Sequence, residues 1–270
     1  MRTLIIIPAR YGSARFPGKP LALINGVSMV RRTADIARQA ADSLENCSYA
    51  VATDDERIQD HSQSYSIPVI MTPSGVRTGS DRALAAVNSL SEPIDFVINL
   101  QGDAPLTPVQ HITAIATALK TGAKVATPYI KLSWEALDIM RSNKAITPFS
   151  GTTVAVRPNG KALWFSKTII PAIRKELDLR EASALSPICR HVGLYGYRLT
   201  TLERFVGWPE SRYELLEGLE QLRLIENGVP IDCVEVQPPT VATSGIDTPE
   251  DIERVEQLIA RHGDPFKGEP

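Results

Sequence analysis

Leu4 to Ile7 is an unbroken apolar run, short enough for a strand and apolar enough to be covered on both faces. Past a polar loop, Val30, Ala34, Ala37, Ala41 and Leu44 recur at helical spacing and predict an amphipathic helix. Tyr49 to Ala52, Val69 to Met71 and Phe96 to Leu100 predict further strands, with Asp54 or Asp55 placed to cap the helix that follows Ala52. Strands alternating with helical segments require βαβ units and a parallel sheet. Ligands of such sheets lie beyond the carboxyl ends of the strands.

After about Thr127 the pattern changes. The stretch from Ser142 to Lys167 alternates apolar and polar positions around a turn signal at Pro158-Asn159-Gly160, which predicts a β-hairpin. "RHVGLYGYRL" reads as another strand, with His191, Gly193, Tyr195 and Tyr197 on alternate positions of one face. "YELLEGLEQLRLIENG" predicts a helix with Leu215, Leu219 and Leu222 inward and Gly228 as terminator. In the last helix Thr248 is placed as N-cap, Pro249 as first residue and Asp251 as reciprocal capping partner. The expected fold class is therefore α/β, a doubly wound and mostly parallel sheet with an inserted β-rich lobe near residues 130–210. One domain is expected over 1–265 with a tail at 266–270, and the chain after His262 reads as frayed.

Charge narrows the choice of ligand. The net charge of -2 over 270 residues supplies no global positive field, so nucleic acid is not an expected partner. Cys47, Cys189 and Cys233 are odd in number and far apart, which disfavours a disulfide framework or zinc knuckle and points to a reducing cytoplasm. No run approaches the ~18 apolar residues of a membrane span, and the amino terminus enters a strand without a secretory leader pattern. A soluble, cytoplasmic protein without membrane contact is the expectation.

Against this background the loop after the first strand stands out. "PARYGSARFPGKP" places Arg10, Arg15 and Lys19 directly after a buried strand, a local cluster suited to a small anion. It is not a P-loop: Gly12 and Gly18 are one residue too far apart, and Pro20 follows Lys19 where Ser or Thr is needed. No GxGxxG dinucleotide fingerprint occurs either. A glycine-bearing turn with exposed N–H groups and three cations remains, or else a solvated basic loop.

"IPARYGSARFPGKPL" resembles the nucleotide-binding signature of the cytidylyltransferases that activate 2-keto sugar acids, most closely the 3-deoxy-manno-octulosonate cytidylyltransferase (CMP-Kdo synthetase) family. The likeness recurs in order at "VATDDERI", "TGSDR", "INLQGDAPL", "LWFSK", "RHVGLYGYR", "LEGLEQLR" and "GIDTPEDIE". This resemblance implies transfer of CMP from CTP to the anomeric hydroxyl of a Kdo-like acid, with pyrophosphate released, for lipopolysaccharide biosynthesis. It places Ala9, Arg10, Arg15 and Lys19 on the triphosphate, and Thr78, Gly79 and Arg82 on cytidine and phosphate. Gly79 lets backbone approach a ligand and Arg82 can pair bidentately with phosphate, while Ser80 or Asp81 equally suits a helix cap. Gln101 or nearby backbone would meet cytosine.

The same likeness has Asp103 and Asp247 ligate Mg2+, although each also suits a turn or cap. Arg10, Lys19, Asp103 and Asp247 would then carry the chemistry. For the acceptor it implies Arg174 on the carboxylate, with His191, Tyr195, Glu220 and Gln221 as hydrogen-bonding partners; core tyrosines and a surface arginine are the bland alternatives. Departures from the family pattern are Val76 for His, Ala104 for Glu, Thr153 for Lys and Lys167 for Arg. They leave open another sugar acid or a sugar phosphate as acceptor, or a noncatalytic nucleotide-binding homologue. A homodimer through the inserted lobe is also implied, with Phe205, Val206 and Trp208 either at the interface or in the core.

Overall fold

The computed structural model describes residues 1–12, 16–239 and 245–268. Strand β1 (Thr3–Pro8) is followed by a single 3-10 turn (Lys19–Leu21) and a small hairpin of β2 (Leu23–Ile24) and β3 (Val27–Ser28). Helix α1 (Met29–Asp42), β4 (Cys47–Thr53), α2 (Glu56–Ser64), β5 (Val69–Met71), α3 (Gly79–Asn88) and β6 (Phe96–Asn99) complete the first half. Strands β5, β4, β1 and β6 lie side by side in that order, all parallel. Asp55 rather than Asp54 caps α2, its carboxylate accepting from the Arg57 N–H.

Burial explains why β1 is apolar at every position. Leu4 and Ile6 pack with α3 residues Ala83 and Ala86 on one face of the sheet. Ile5 and Ile7 pack on the other with Val30, Ala34 and Ala37 of α1 and with Ile112, Ile115 and Leu119. Those last three belong to α4 (Val109–Lys120). The sheet is thus wound on both faces, as the continuous apolar run requires.

The second half extends the same sheet with β7 (Val125–Ser133), α5 (Trp134–Ile146), β8 (Thr153–Val156), β9 (Ala162–Ser166), α6 (Glu176–Ala182), β10 (Leu185–His191) and β11 (Tyr195–Arg198). β11 runs antiparallel between β6 and β7, while β10 pairs antiparallel with β7 and β8. The hairpin around Pro158-Asn159-Gly160 is β8–β9, with Gly160 at φ 78°. The "RHVGLYGYRL" segment is not one strand: residues 192–194 interrupt it, and Leu194 N–H bonds back to the Val192 carbonyl.

Two further helices, α7 (Leu199–Gly207) and α8 (Arg212–Glu217), precede α9 (Gln221–Glu226), β12 (Asp232–Glu235) and α10 (Pro249–His262). The helix expected over Tyr213 to Gly228 is broken into α8 and α9 because Gly218 adopts φ 64°, a left-handed cap. Leu219 and Leu222 are buried as expected, but Leu215 is 64% exposed because the break turns α8 away from the face α9 buries. The capping box Thr248/Asp251 with Pro249 forms as read. The segment after α10 is packed rather than frayed: Asp264 accepts two hydrogen bonds from the fully buried Arg32 guanidinium, and Lys267 N–H reaches Asp35.

Candidate functional site

A cavity of about 410 Å³ opens beyond the carboxyl ends of β1 and β6, where ligands of a parallel sheet are expected. Ala9 and Arg10 reach it from the end of β1, and Gln101, Gly102 and Asp103 from the end of β6. The amino terminus of α3 forms another wall, fixed by reciprocal bonds between Thr78 and Asp81. Gly79 lies there beside Pro8, Gln101 and Asn99. Gly102 has a stricter reason to be glycine: a Cβ would sit 2.6 Å from the Pro8 carbonyl oxygen, so any side chain would push the loop off β1.

Asp103 and Asp247 meet at one end of the cavity. Lys19 Nζ lies 2.8 Å from Asp103 Oδ2 and 3.4 Å from Asp247 Oδ1, and donates to the Ile246 carbonyl at 2.9 Å. Backbone holds the acids together, since Ile246 N–H donates to the Asp103 carbonyl at 2.9 Å. Gly245 packs so closely on the Asp103 carboxylate that a Cβ would stand 3.2 Å from Oδ1. Ile246 is itself fully buried against Ile24, Met29, Leu106 and α10, which anchors the Asp247 segment. Arg82 is buried in the adjoining wall, with Nη1 donating to Thr72 Oγ1 at 2.6 Å and Nη2 3.2 Å from Asp54 Oδ2. Arg15 falls outside the described residues.

The residues expected at the acceptor divide. Glu220 lines the cavity and accepts from Ser80 Oγ at 3.0 Å; its burial pushes the carboxyl pKa up, against a smaller opposing effect of that bond. Gln221 beside it is buried, and its Nε2 makes no hydrogen bond. His191 and Tyr195 share a face as the alternation predicted, with ring centroids 5.4 Å apart, despite the interruption between them. Burial depresses the His191 pKa to about 3 and raises that of Tyr195, so both are neutral at ordinary pH. Arg174 is exposed on the segment before α6 and does not line the cavity. Tyr197 belongs to the core.

A cytidylyltransferase family model matches residues 4–232. The 3-deoxy-manno-octulosonate cytidylyltransferase of Maricaulis maris is 43% identical over 98% of this chain and 99% of its own, and that of Cytophaga hutchinsonii is 38% identical over 93% and 94%. This chain belongs to the 3-deoxy-manno-octulosonate cytidylyltransferase family. A solved CMP:2-keto-3-deoxy-manno-octonic acid synthetase in complex with CTP superposes with a TM-score of 0.81 at 33% identity, over 97% of this chain and 99% of the other. A more remote cytidylyl enzyme, the 4-diphosphocytidyl-2C-methyl-D-erythritol synthase of Anaerococcus prevotii, shares the fold at 12% identity and a TM-score of 0.59.

In this cytidylyltransferase, the departures from pattern fall into clear structural places. Val76 lines the cavity, where an apolar side chain replaces a hydrogen-bonding one. Ala104 closes a turn, donating to the Gln101 carbonyl. Thr153 is fully buried and bonds the Thr168 carbonyl, with no room for a lysine charge. The Lys167 N–H is held by Glu217. Sequence reasoning missed Gly245 and Ile246, which align the acid pair, and Asp54 and Thr72, which hold Arg82. The one available signal was Asp54 at a strand end, where it had been read only as a cap.

No group of three or more His, Cys, Asp and Glu gathers among the described residues. The convergent donors are two carboxylates already gathered around a cation, hard oxygens with space on the cavity side for phosphate and water. That chemistry fits Mg2+.

Proposed function

We propose that this chain transfers CMP from CTP to the anomeric hydroxyl of 3-deoxy-manno-octulosonate and releases pyrophosphate. The observation that carries the reading is the convergence of Asp103 and Asp247 on Lys19 at the mouth of a cavity walled by Arg10, Arg82 and the amino terminus of α3. Names of relatives that match over nearly the whole chain supply the substrate.

Arg10, Lys19 and Arg82 offset the negative charge of a triphosphate and the charge that grows on departing pyrophosphate. N–H groups at the start of α3 present a partial positive charge to the same space. Gln101 and Gly79 bound the cavity from the side on which the base would lie. Asp103 and Asp247 would hold Mg2+, which when bound supplies Lewis acidity toward the α-phosphate and lowers the pKa of the attacking hydroxyl. Arg15, by resemblance, adds a further cation. Positioning and charge neutralisation then account for the catalysis.

Asp103→Asn keeps the shape of the side chain but removes its charge. It should cut CMP-sugar formation by roughly 10²-fold or more, with melting temperature near that of wild type, in a pyrophosphate-release assay run with CTP and UTP against a panel of sugar acids and sugar phosphates. Near-normal turnover in that variant would remove the metal assignment, and transfer only to a sugar phosphate would replace the acceptor.

The proposal extends to a cytoplasmic homodimer that supplies an activated sugar acid for lipopolysaccharide. Among the described residues, no helix is long and apolar enough to cross a membrane. Phe205 packs in the main core, with Val206 and Trp208 partly buried against it. The four most exposed large apolar residues are Ile146 at 84% exposure, Phe149 at 76%, Leu177 at 77% and Leu216 at 70%. They lie on α5, α6, α8 and the loop after α5. Arg141–Glu176 joins α5 to α6, and contacts of Lys144 and Glu217 with Lys167 bring α5 and α8 together. Exposed apolar side chains on neighbouring elements are what a second copy would cover.

A further inference from the structure

Helix α10 carries Asp247 into the acid site, yet apolar burial alone does not fix where that helix lies. Of its 14 residues only Val255 and Ile259 are buried, with Ile252 and Leu258 partly covered beside them. Two such side chains make a fulcrum about which a helix of about 21 Å can swing. Polar ties supply the rest. At the first turn the N–H groups of Asp247 and Thr248 both donate to Asp251 Oδ2 at 3.0 Å, so the Asp247 backbone moves with the helix. Midway, Glu256 Oε1 accepts from the Asn25 N–H at 2.7 Å. Beyond the last turn, Asp264 Oδ1 and Oδ2 accept from Arg32 Nη1 and Nη2 at 2.7 and 2.8 Å.

Arg32 is the centre of this arrangement. Its side chain is 1% exposed, a position where a guanidinium needs a partner charge. Nε and Nη2 also donate to the Ile24 carbonyl at 3.1 and 2.8 Å, so one side chain of α1 ties β2 to the segment after α10. Ile24 packs in turn on Ile246, whose N–H holds the Asp103 carbonyl. Asp264, Pro265 and Lys267 are exposed, and Phe266 borders a cavity of about 380 Å³ with Leu106 and Pro108 rather than filling it. The fork between Arg32 and Asp264, supported by the Lys267 N–H on Asp35 at 3.1 Å, therefore holds this end of the helix.

We propose that Arg32 and Asp264 are a positioning pair for the acid site. They set how α10 lies on α1, and so where the Asp247 carboxylate points relative to Asp103. The Ile246–Asp103 bond joins the two backbones, and the angle at which α10 leaves it fixes the carboxylate. Affinity for a divalent cation thus depends on a charge pair at the far end of the helix. The inference rests on the assignment of Asp103 and Asp247 to Mg2+ under the proposed function.

The test is Mn2+ binding followed by electron paramagnetic resonance, on the full chain with CTP and no sugar acid, beside amide hydrogen exchange. Asp264→Asn keeps an oxygen acceptor but removes the charge opposite Arg32. It should weaken Mn2+ binding about tenfold and speed exchange over 246–252. The Mg2+ needed for half-maximal turnover should rise equally, with kcat at saturating Mg2+ within about twofold. Asp264→Glu restores the charge and should return both readouts. In wild type, amides at 246–252 and 255–262 should open together, a measurement that stands even where D264N fails to fold. Separate opening of those segments, or unchanged Mn2+ affinity in folded D264N, would overturn the positioning role. Asp103→Asn is the control: unchanged Mn2+ binding in that variant would instead overturn the metal assignment, and this inference with it.

Discussion

At the scale of single residues, His191 carries a pH signature that follows from burial. Its pKa falls from 6.5 to about 3, first through desolvation and then through the nearby Lys167 charge. Between those values the unfolded chain binds a proton that the folded chain refuses. Stability is therefore complete above pH 6.5 and is lost as pH falls through that window. From pH 7 to pH 5 this group alone should remove about 2 kcal/mol, measurable by denaturant unfolding, and His191→Gln should flatten that part of the profile. An unchanged slope in the variant would assign the acid sensitivity elsewhere. This behaviour was not legible in the sequence, where His191 was one alternate position in a strand. The imidazole's state depends on Thr127 of β7 and on Phe165 and Lys167 in and just after β9, two other parts of the chain.

At the scale of elements, the packing of α4 on β11 rests on the missing side chain of Gly196. A Cβ there would fall 2.3 Å from Ile115 Cγ2 and 2.8 Å from Leu119 Cδ1. Gly196→Ala should therefore destabilise the fold by about 1–3 kcal/mol through overpacking, seen as a lower denaturation midpoint with unchanged slope. Activity at low temperature should survive better than stability, since Gly196 does not line the cavity. The strands β1, β4 and β6 were readable because burial on both faces writes itself as an apolar run, whereas β5 is a partly exposed edge strand with the same apolar pattern. β12 was not readable: "DCVE" has two charges in four residues, and only its parallel pairing with β7 makes it a strand. The split of α8 from α9 turned on Gly218. Helical periodicity ran through that position unbroken, but a left-handed glycine cap outweighed it, aided by the buried pair of Arg223 with Glu214 that folds α9 back onto α8.

At the scale of the whole molecule, the proposed homodimer would place its second copy over exposed apolar residues such as Phe149 and Leu216. Placing charge at two of them, Phe149→Glu with Leu216→Glu, should shift sedimentation from dimer to monomer without changing the circular dichroism of the fold. A wild-type chain that sediments as a monomer at micromolar concentration would reject the dimer. The sequence left Phe205, Val206 and Trp208 either at an interface or in the core, and the fold packs Phe205 in the core with Val206 and Trp208 against it. Phe205 satisfies the same composition rule as Phe149, yet it is 1% exposed and Phe149 is 76% exposed, a distinction no local pattern contains.

The amino-acid sequence by itself determined the alternation of strand and helix in the first half, the hairpin at Gly160, the cap of α10 and the cationic loop after β1. These depend on backbone preference and hydration over a few neighbouring residues, so they are written locally. Tertiary structure alone decided that Asp103 and Asp247 share Lys19, that Thr127 meets His191, and that Arg174 lies away from the cavity while Glu220 lies within it. Resemblance could name those residues, but their meeting requires the completed sheet. Only then does the Ile246 N–H find the Asp103 carbonyl and bring the end of the chain to the end of β6.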